Sequence, residues 1–108
     1  EKKKMINKII VITSIMHKRC NDSMKAVNEL LENELKDIES NVYDINKEPI
    51  IAEKYNISLV PSMILFDDGE YICKLSGNVG KENIIEVIKD INNGKYNWSL
   101  WKDEKRKD

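Results

Sequence analysis

The four consecutive residues Ile9-Ile10-Val11-Ile12 limit the architecture of this chain more than any other feature. All four are β-branched, and the run is continuous rather than alternating, so a strand built from it is buried on both faces. Its shortness favours a strand over a buried helical segment, and it is far too short to span a bilayer. A strand buried on both sides needs a covering layer on each, which points to a sheet between helices.

The residues that follow supply those layers. Cys20, Met24, Val27, Leu31 and Leu35 recur at steps of four and three, the mark of an amphipathic helix starting just behind the loop after the first strand. Asn41-Val42-Tyr43-Asp44-Ile45 reads as a short strand, and Pro49 opens a short helix running through Ala52 to Tyr55, since proline suits a first helical turn. After Pro61, Ser62-Met63-Ile64-Leu65-Phe66 and Tyr71-Ile72-Cys73-Lys74-Leu75 flank the turn signal Asp67-Asp68-Gly69 and form an antiparallel hairpin. Ile84, Ile85, Ile88 and Ile91 mark a last helix, ended by Asn92-Asn93-Gly94. The order β-α-β-α-β-β-α predicts an α/β fold: a central mixed sheet of about four strands, the first two parallel, with helices on both faces.

A length of 108 residues allows one domain. Lysine and arginine number 18 against 19 acidic residues, for a net charge of -1. That balance gives no field to draw the chain to nucleic acid or an anionic membrane, so neither is expected as a partner. The ends Glu1–Lys4 and Lys102–Asp108 read as solvated charge. Cys20 and Cys73 are too few for a disulfide-stapled scaffold, so the compartment stays open, with the cytoplasm the favoured reading. No hydrophobic signal stretch precedes Ile9. The chain opens on Glu1, with Met5 the first methionine, which fits a processed or excised form and leaves a removed targeting segment open.

Between Tyr43 and Gly77 the residues resemble the thioredoxin family. The resemblance rests on Asp44-Ile45-Asn46-Lys47-Glu48-Pro49, Ala52-Glu53-Lys54-Tyr55-Asn56-Ile57, Val60-Pro61-Ser62, Phe66-Asp67-Asp68-Gly69-Glu70 and Ser76-Gly77, several landmarks in one order and spacing. It extends from about Ile9 to Ile91, without the family's usual first strand and helix. It implies a thioredoxin-like fold and divides the chain into an N-terminal segment 1–8, a domain 9–92 and a charged tail 93–108.

The family's Cys-x-x-Cys site aligns with His17-Lys18-Arg19-Cys20, an HxxC variant holding only the second cysteine. Dithiol exchange needs one thiolate to attack and a neighbouring thiol to resolve the mixed disulfide, so Cys20 alone supports at most monothiol chemistry with an outside thiol such as glutathione. Met16 stands where a tryptophan is usual, and Val11 where a buried acid commonly assists proton transfer. Cys20 itself has two readings. A helix N-terminus with His17, Lys18 and Arg19 beside it favours a reactive thiolate, whereas its place on the stripe of Met24 and Val27 favours a small buried hydrophobe.

His17 is read as a proton carrier, a ligand or a helix-entry residue. With Cys20 it makes two ligands, short of the four of an ordinary zinc site, so no metal and no cofactor are expected. Lys18 and Arg19 read as solvated loop charges and Cys73 as a packing residue. Pro61 takes the family's cis-proline position. By resemblance, Met16, Val60, Pro61 and Gly77 border a groove in which an extended polypeptide pairs with the backbone at Val60. The other reading of Pro61 is a sharp turn and nothing more. Trp98, Leu100 and Trp101 are read as docking on the domain or on a partner. Asn56-Ile57-Ser58 and Asn97-Trp98-Ser99 match the glycosylation acceptor pattern, which carries no weight without a secretory context. The expected function is thus a thioredoxin-like protein of the thiol-disulfide oxidoreductase family with a degenerate site. The alternative is a non-catalytic protein-interaction module on the same fold.

Overall fold

In the computed structural model, which describes residues 5–77 and 80–94, the opening apolar run forms β1, Lys8–Thr13. Its side chains divide by parity: Ile9 and Val11 enter one apolar cluster, Ile10 and Ile12 the other. This is the two-sided burial expected of an unbroken β-branched run. β1 pairs in parallel with β2, Glu39–Asp44, and antiparallel with β3, Ser62–Asp67. β3 pairs antiparallel with β4, Glu70–Ser76, giving the sheet order β2-β1-β3-β4. The expected mixed four-stranded sheet is therefore present.

The hairpin closes on Asp68 and Gly69, both in the left-handed region at φ 51° and 89°. Two such residues in succession make the turn whose twist matches that of its strands. A bulge between Leu65 and Phe66 lets Ile72 and Cys73 both enter the larger cluster while Tyr71 passes to the other face. There the Phe66 ring stands edge-on to Tyr55 at 5.7 Å and Tyr71 at 6.4 Å. Burial, and then Cys73, push the Tyr71 hydroxyl up to about 12.

The larger core lies between the sheet and two helices, α1 (Lys18–Glu32) and α3 (Lys81–Asn92). Lys81 links them by pairing with Glu29 at 3.1 Å and Glu34 at 3.5 Å. The smaller core lies under α2, Pro49–Lys54, on the opposite face. Ile6 joins the larger core, and its N–H donates to Asn92 Oδ1 at 2.9 Å, tying the entry of β1 to the end of α3. No helix among the described residues is long and apolar enough to cross a membrane. Residues 1–4 and 95–108, with Trp98, Leu100, Trp101 and the motif at Asn97, lie outside the described residues.

The α1 stripe differs from its expected course. Leu30 is wholly buried whereas Leu31 is only partly so, because α1 packs against α3 as well as the sheet and buries a wider arc than a single seam. Leu35, expected to extend the stripe, lies beyond the helix. Its N–H donates to the Leu30 carbonyl at 2.8 Å, which folds it back onto the helix end as a buried residue. Leu30→Ala is expected to cost about 3 kcal/mol in urea unfolding and Leu31→Ala about 1 kcal/mol; equal costs would restore the single-seam picture.

Candidate functional site

Two loops meet at the site, the first following β1. Ser14 is buried, and its Oγ accepts from Asn46 Nδ2 at 2.9 Å, which binds the end of β1 to the segment after β2. The His17 N–H donates to the Ser14 carbonyl at 3.3 Å, and the Asn21 side chain donates to the Ile15 carbonyl at 3.2 Å. These bonds bend the chain sharply into α1. Ile15, Met16 and His17 are left on the outside, Met16 with 77% of its surface exposed.

His17 takes the cap position of α1 in extended backbone, and its imidazole makes no capping bond. Cys20, one turn on, points inward and is 2% exposed. The HxxC segment therefore sets an outward imidazole and an inward thiol on successive turns. Of the two readings of Cys20, the geometry is that of the buried hydrophobe. Cys73 is wholly buried on β4, and Cys20 and Cys73 are not joined in a disulfide. Val11, at the position where the resemblance places an acid, is wholly buried in the larger apolar cluster. Among the described residues, no three histidine, cysteine or acidic side chains gather as a metal site would require.

The second loop joins α2 to β3. The Val60-Pro61 peptide bond is cis, the Ser62 hydroxyl donates to the Leu59 carbonyl, and the Gly77 N–H donates to the Pro61 carbonyl at 2.9 Å. Gly77 sits at φ 83°, a conformation that a side chain would strain.

Between the loops lies a cleft of about 440 Å³, lined by Val60 and Pro61 on one side and by Arg19, Asp22 and Ser23 on the other. A hollow of about 10 Å³ deeper in brings Pro61 together with Gly77, Ser23 and Val27. The structure thus unites Val60 and Pro61 in the cleft, and Pro61 and Gly77 beneath it. Met16, His17 and Cys20 line neither space. Arg19, read as a solvated loop charge, is instead the second residue of α1 and part of the cleft wall. Asp22 and Ser23 went unread in the sequence, although 19, 22 and 23 fall at the spacing that shares one helix face.

The Thioredoxin family model matches residues 7–90. Thioredoxin from Staphylococcus epidermidis is 40% identical over 45 residues, which is 42% of this chain and 43% of that protein. Thioredoxin from Staphylococcus saprophyticus matches to the same extent. The matched stretch spans less than half the length of these curated relatives. Among solved structures, Fasciola hepatica thioredoxin aligns with a TM-score of 0.70 at 19% identity, covering 82% of this chain and 83% of its own. Mitochondrial thioredoxin 3 from Saccharomyces cerevisiae gives 0.69 at 22% identity, covering 82% and 81%. At those identities the structural likeness speaks for the fold.

Proposed function

Because this chain belongs to the thioredoxin family, we propose that it binds an extended polypeptide beside Pro61 and that its HxxC site supports monothiol redox chemistry at most. One observation carries this reading: the cleft at Val60 and Pro61 is open, while Cys20, the thiol of the HxxC segment, is buried. An extended segment gains affinity there from main-chain hydrogen bonds and shallow apolar contacts at Val60 and Pro61, and none of that needs a thiol.

Redox turnover is more demanding. The Cys20 thiolate attacks a substrate disulfide, forming a mixed disulfide and releasing one thiolate. Glutathione then attacks the substrate sulfur, freeing Cys20 and leaving the other substrate half as a mixed disulfide with glutathione. In this reading His17 carries a proton for these exchanges, and burial of Cys20 makes local opening the gate to the first step.

The test uses reduced, carbamidomethylated insulin B chain, an extended polypeptide with no thiol, together with iodoacetamide labelling of Cys20 in a Cys73→Ser background. B chain is expected to bind, and native Cys20 to react at least about tenfold more slowly than after unfolding. Failure of B chain to bind would overturn the reading, and fast labelling of native Cys20 at neutral pH would overturn the subordinate place given to the thiol. The burial of both cysteines favours one second reading, a non-catalytic interaction module, for which Cys20→Ser leaves B-chain affinity unchanged and the parent consumes no disulfide.

A further inference from the structure

We propose that Lys74 is a positioning residue for this cleft, its ammonium holding the loop that presents Val60; the inference rests on the polypeptide-binding reading above. α2 has six residues, fewer than a helix needs to persist alone, and the chain between it and Pro61 forms no regular element. Whatever anchors the end of α2 therefore sets where the loop begins.

The chain leaves α2 through a tight reversal. Asn56 is left-handed at φ 56°, its N–H donates to the Glu53 carbonyl at 3.2 Å, and the Ile57 N–H donates to the Ala52 carbonyl at 2.8 Å. Those bonds satisfy carbonyls inside the helix and leave those of Tyr55 and Asn56 at its end. Lys74 Nζ reaches both, at 2.7 Å from Asn56 O and 3.5 Å from Tyr55 O. Lys74 lies opposite Ile64 in the β3–β4 register and is partly buried. Its stem thus lies over the α2 face of the sheet and its ammonium emerges where the loop starts. An ammonium with three donors serves two carbonyls at once.

The far end of the loop is held from the same strand. Ser76 Oγ is 3.3 Å from Ser62 Oγ, whose hydroxyl donates to the Leu59 carbonyl, and the adjacent Gly77 N–H holds Pro61. β4 therefore grips the loop at both ends, through Lys74 where it begins and through Ser76 and Gly77 where it closes. Val60, a wall of the cleft, lies between the two grips. Losing the first leaves Val60 fixed from one side only.

The test compares Lys74→Met, which keeps the stem and removes the donors, with Lys74→Arg, which keeps charge and donors. Lys74→Met is expected to speed amide exchange about tenfold at Asn56 and Ile57, whose N–H groups close the reversal where the loop begins, to weaken B-chain binding about tenfold, and to leave exchange at Ile64 and Leu65 near the parent's. Lys74→Arg should restore both. Unchanged loop exchange in Lys74→Met would overturn the proposal, as would exchange in β3 rising in step with the loop, since that marks general stabilisation. If the parent fails to bind B chain, the polypeptide-binding reading falls, while the exchange comparison still decides the role of Lys74.

Discussion

His17→Cys is expected to give this chain a dithiol reductase activity at least about a hundredfold above the parent's, measured as insulin disulfide reduction in dithiothreitol after subtracting the reductant's own rate. The geometry already separates the two roles such chemistry requires. Position 17 is exposed at the cap of α1, where an introduced thiol meets a substrate disulfide, and Cys20 is buried one turn later, where it meets only what is attached at position 17. Residues three apart on a helix have Cβ atoms roughly 5–6 Å apart, so a small closure brings them into disulfide range. The amides at the start of α1, with Lys18 and Arg19 beside them, favour a thiolate at position 17. Resolution then becomes intramolecular, and replacing a dilute outside thiol with a tethered one is the source of the gain. His17→Cys with Cys20→Ser is the control: it should attack but stall as a mixed disulfide. No gain in His17→Cys would mean that something other than the missing first cysteine limits the site.

That prediction draws on a part of the site that was legible in the sequence. The Ile9–Ile12 run, the helical spacing behind it and the Asp67–Gly69 turn each had one economical solution, and together they required a mixed sheet covered on both faces. Errors arose where a side chain's fate depended on a neighbour distant in sequence. Spacing along α1 picks out Leu31 and carries no information about α3, which buries Leu30, and it extends the helix to Leu35 because nothing in it announces an amide turned back to Leu30. Cys20 stayed ambiguous for the same reason: its charged neighbours and its apolar stripe are equally visible, and only the packed helix shows which way the sulfur points. Arg19, Asp22 and Ser23 became cleft residues once the loop at Val60 was placed against α1, and Lys74 gained its role from a carbonyl 18 residues earlier in the chain.

Val11→Asp is expected to destabilise the fold by about 4 kcal/mol at neutral pH through ionisation alone, because burial raises a carboxyl by roughly 3–5 pH units and each unit between its unfolded value of about 3.9 and pH 7 costs about 1.36 kcal/mol. Val11 has no exposed surface and belongs to the apolar cluster of Met24, Val27 and Met63, so a carboxylate there would lose its hydration with no partner supplied. A domain of this size has only about 5–15 kcal/mol to lose, so much of the variant should be unfolded under conditions where the parent is native. The pH dependence carries the sign. Because the folded-state value lies above the unfolded value of about 3.9, the folded state holds the proton more tightly, and stability falls as pH rises from there to the raised folded value. Below that window both states are protonated and the charge penalty vanishes; above it the loss is complete. Val11→Asn, polar but without a titrating group, should show a smaller cost with no added slope, and urea unfolding from pH 4 to 8 separates the two. A Val11→Asp cost that does not change with pH would mean that the carboxyl reaches water. An acid at position 11 therefore cannot simply be added along with a first cysteine, because the core is apolar at that point, in keeping with the proposal of polypeptide binding that needs no proton transfer to a thiol.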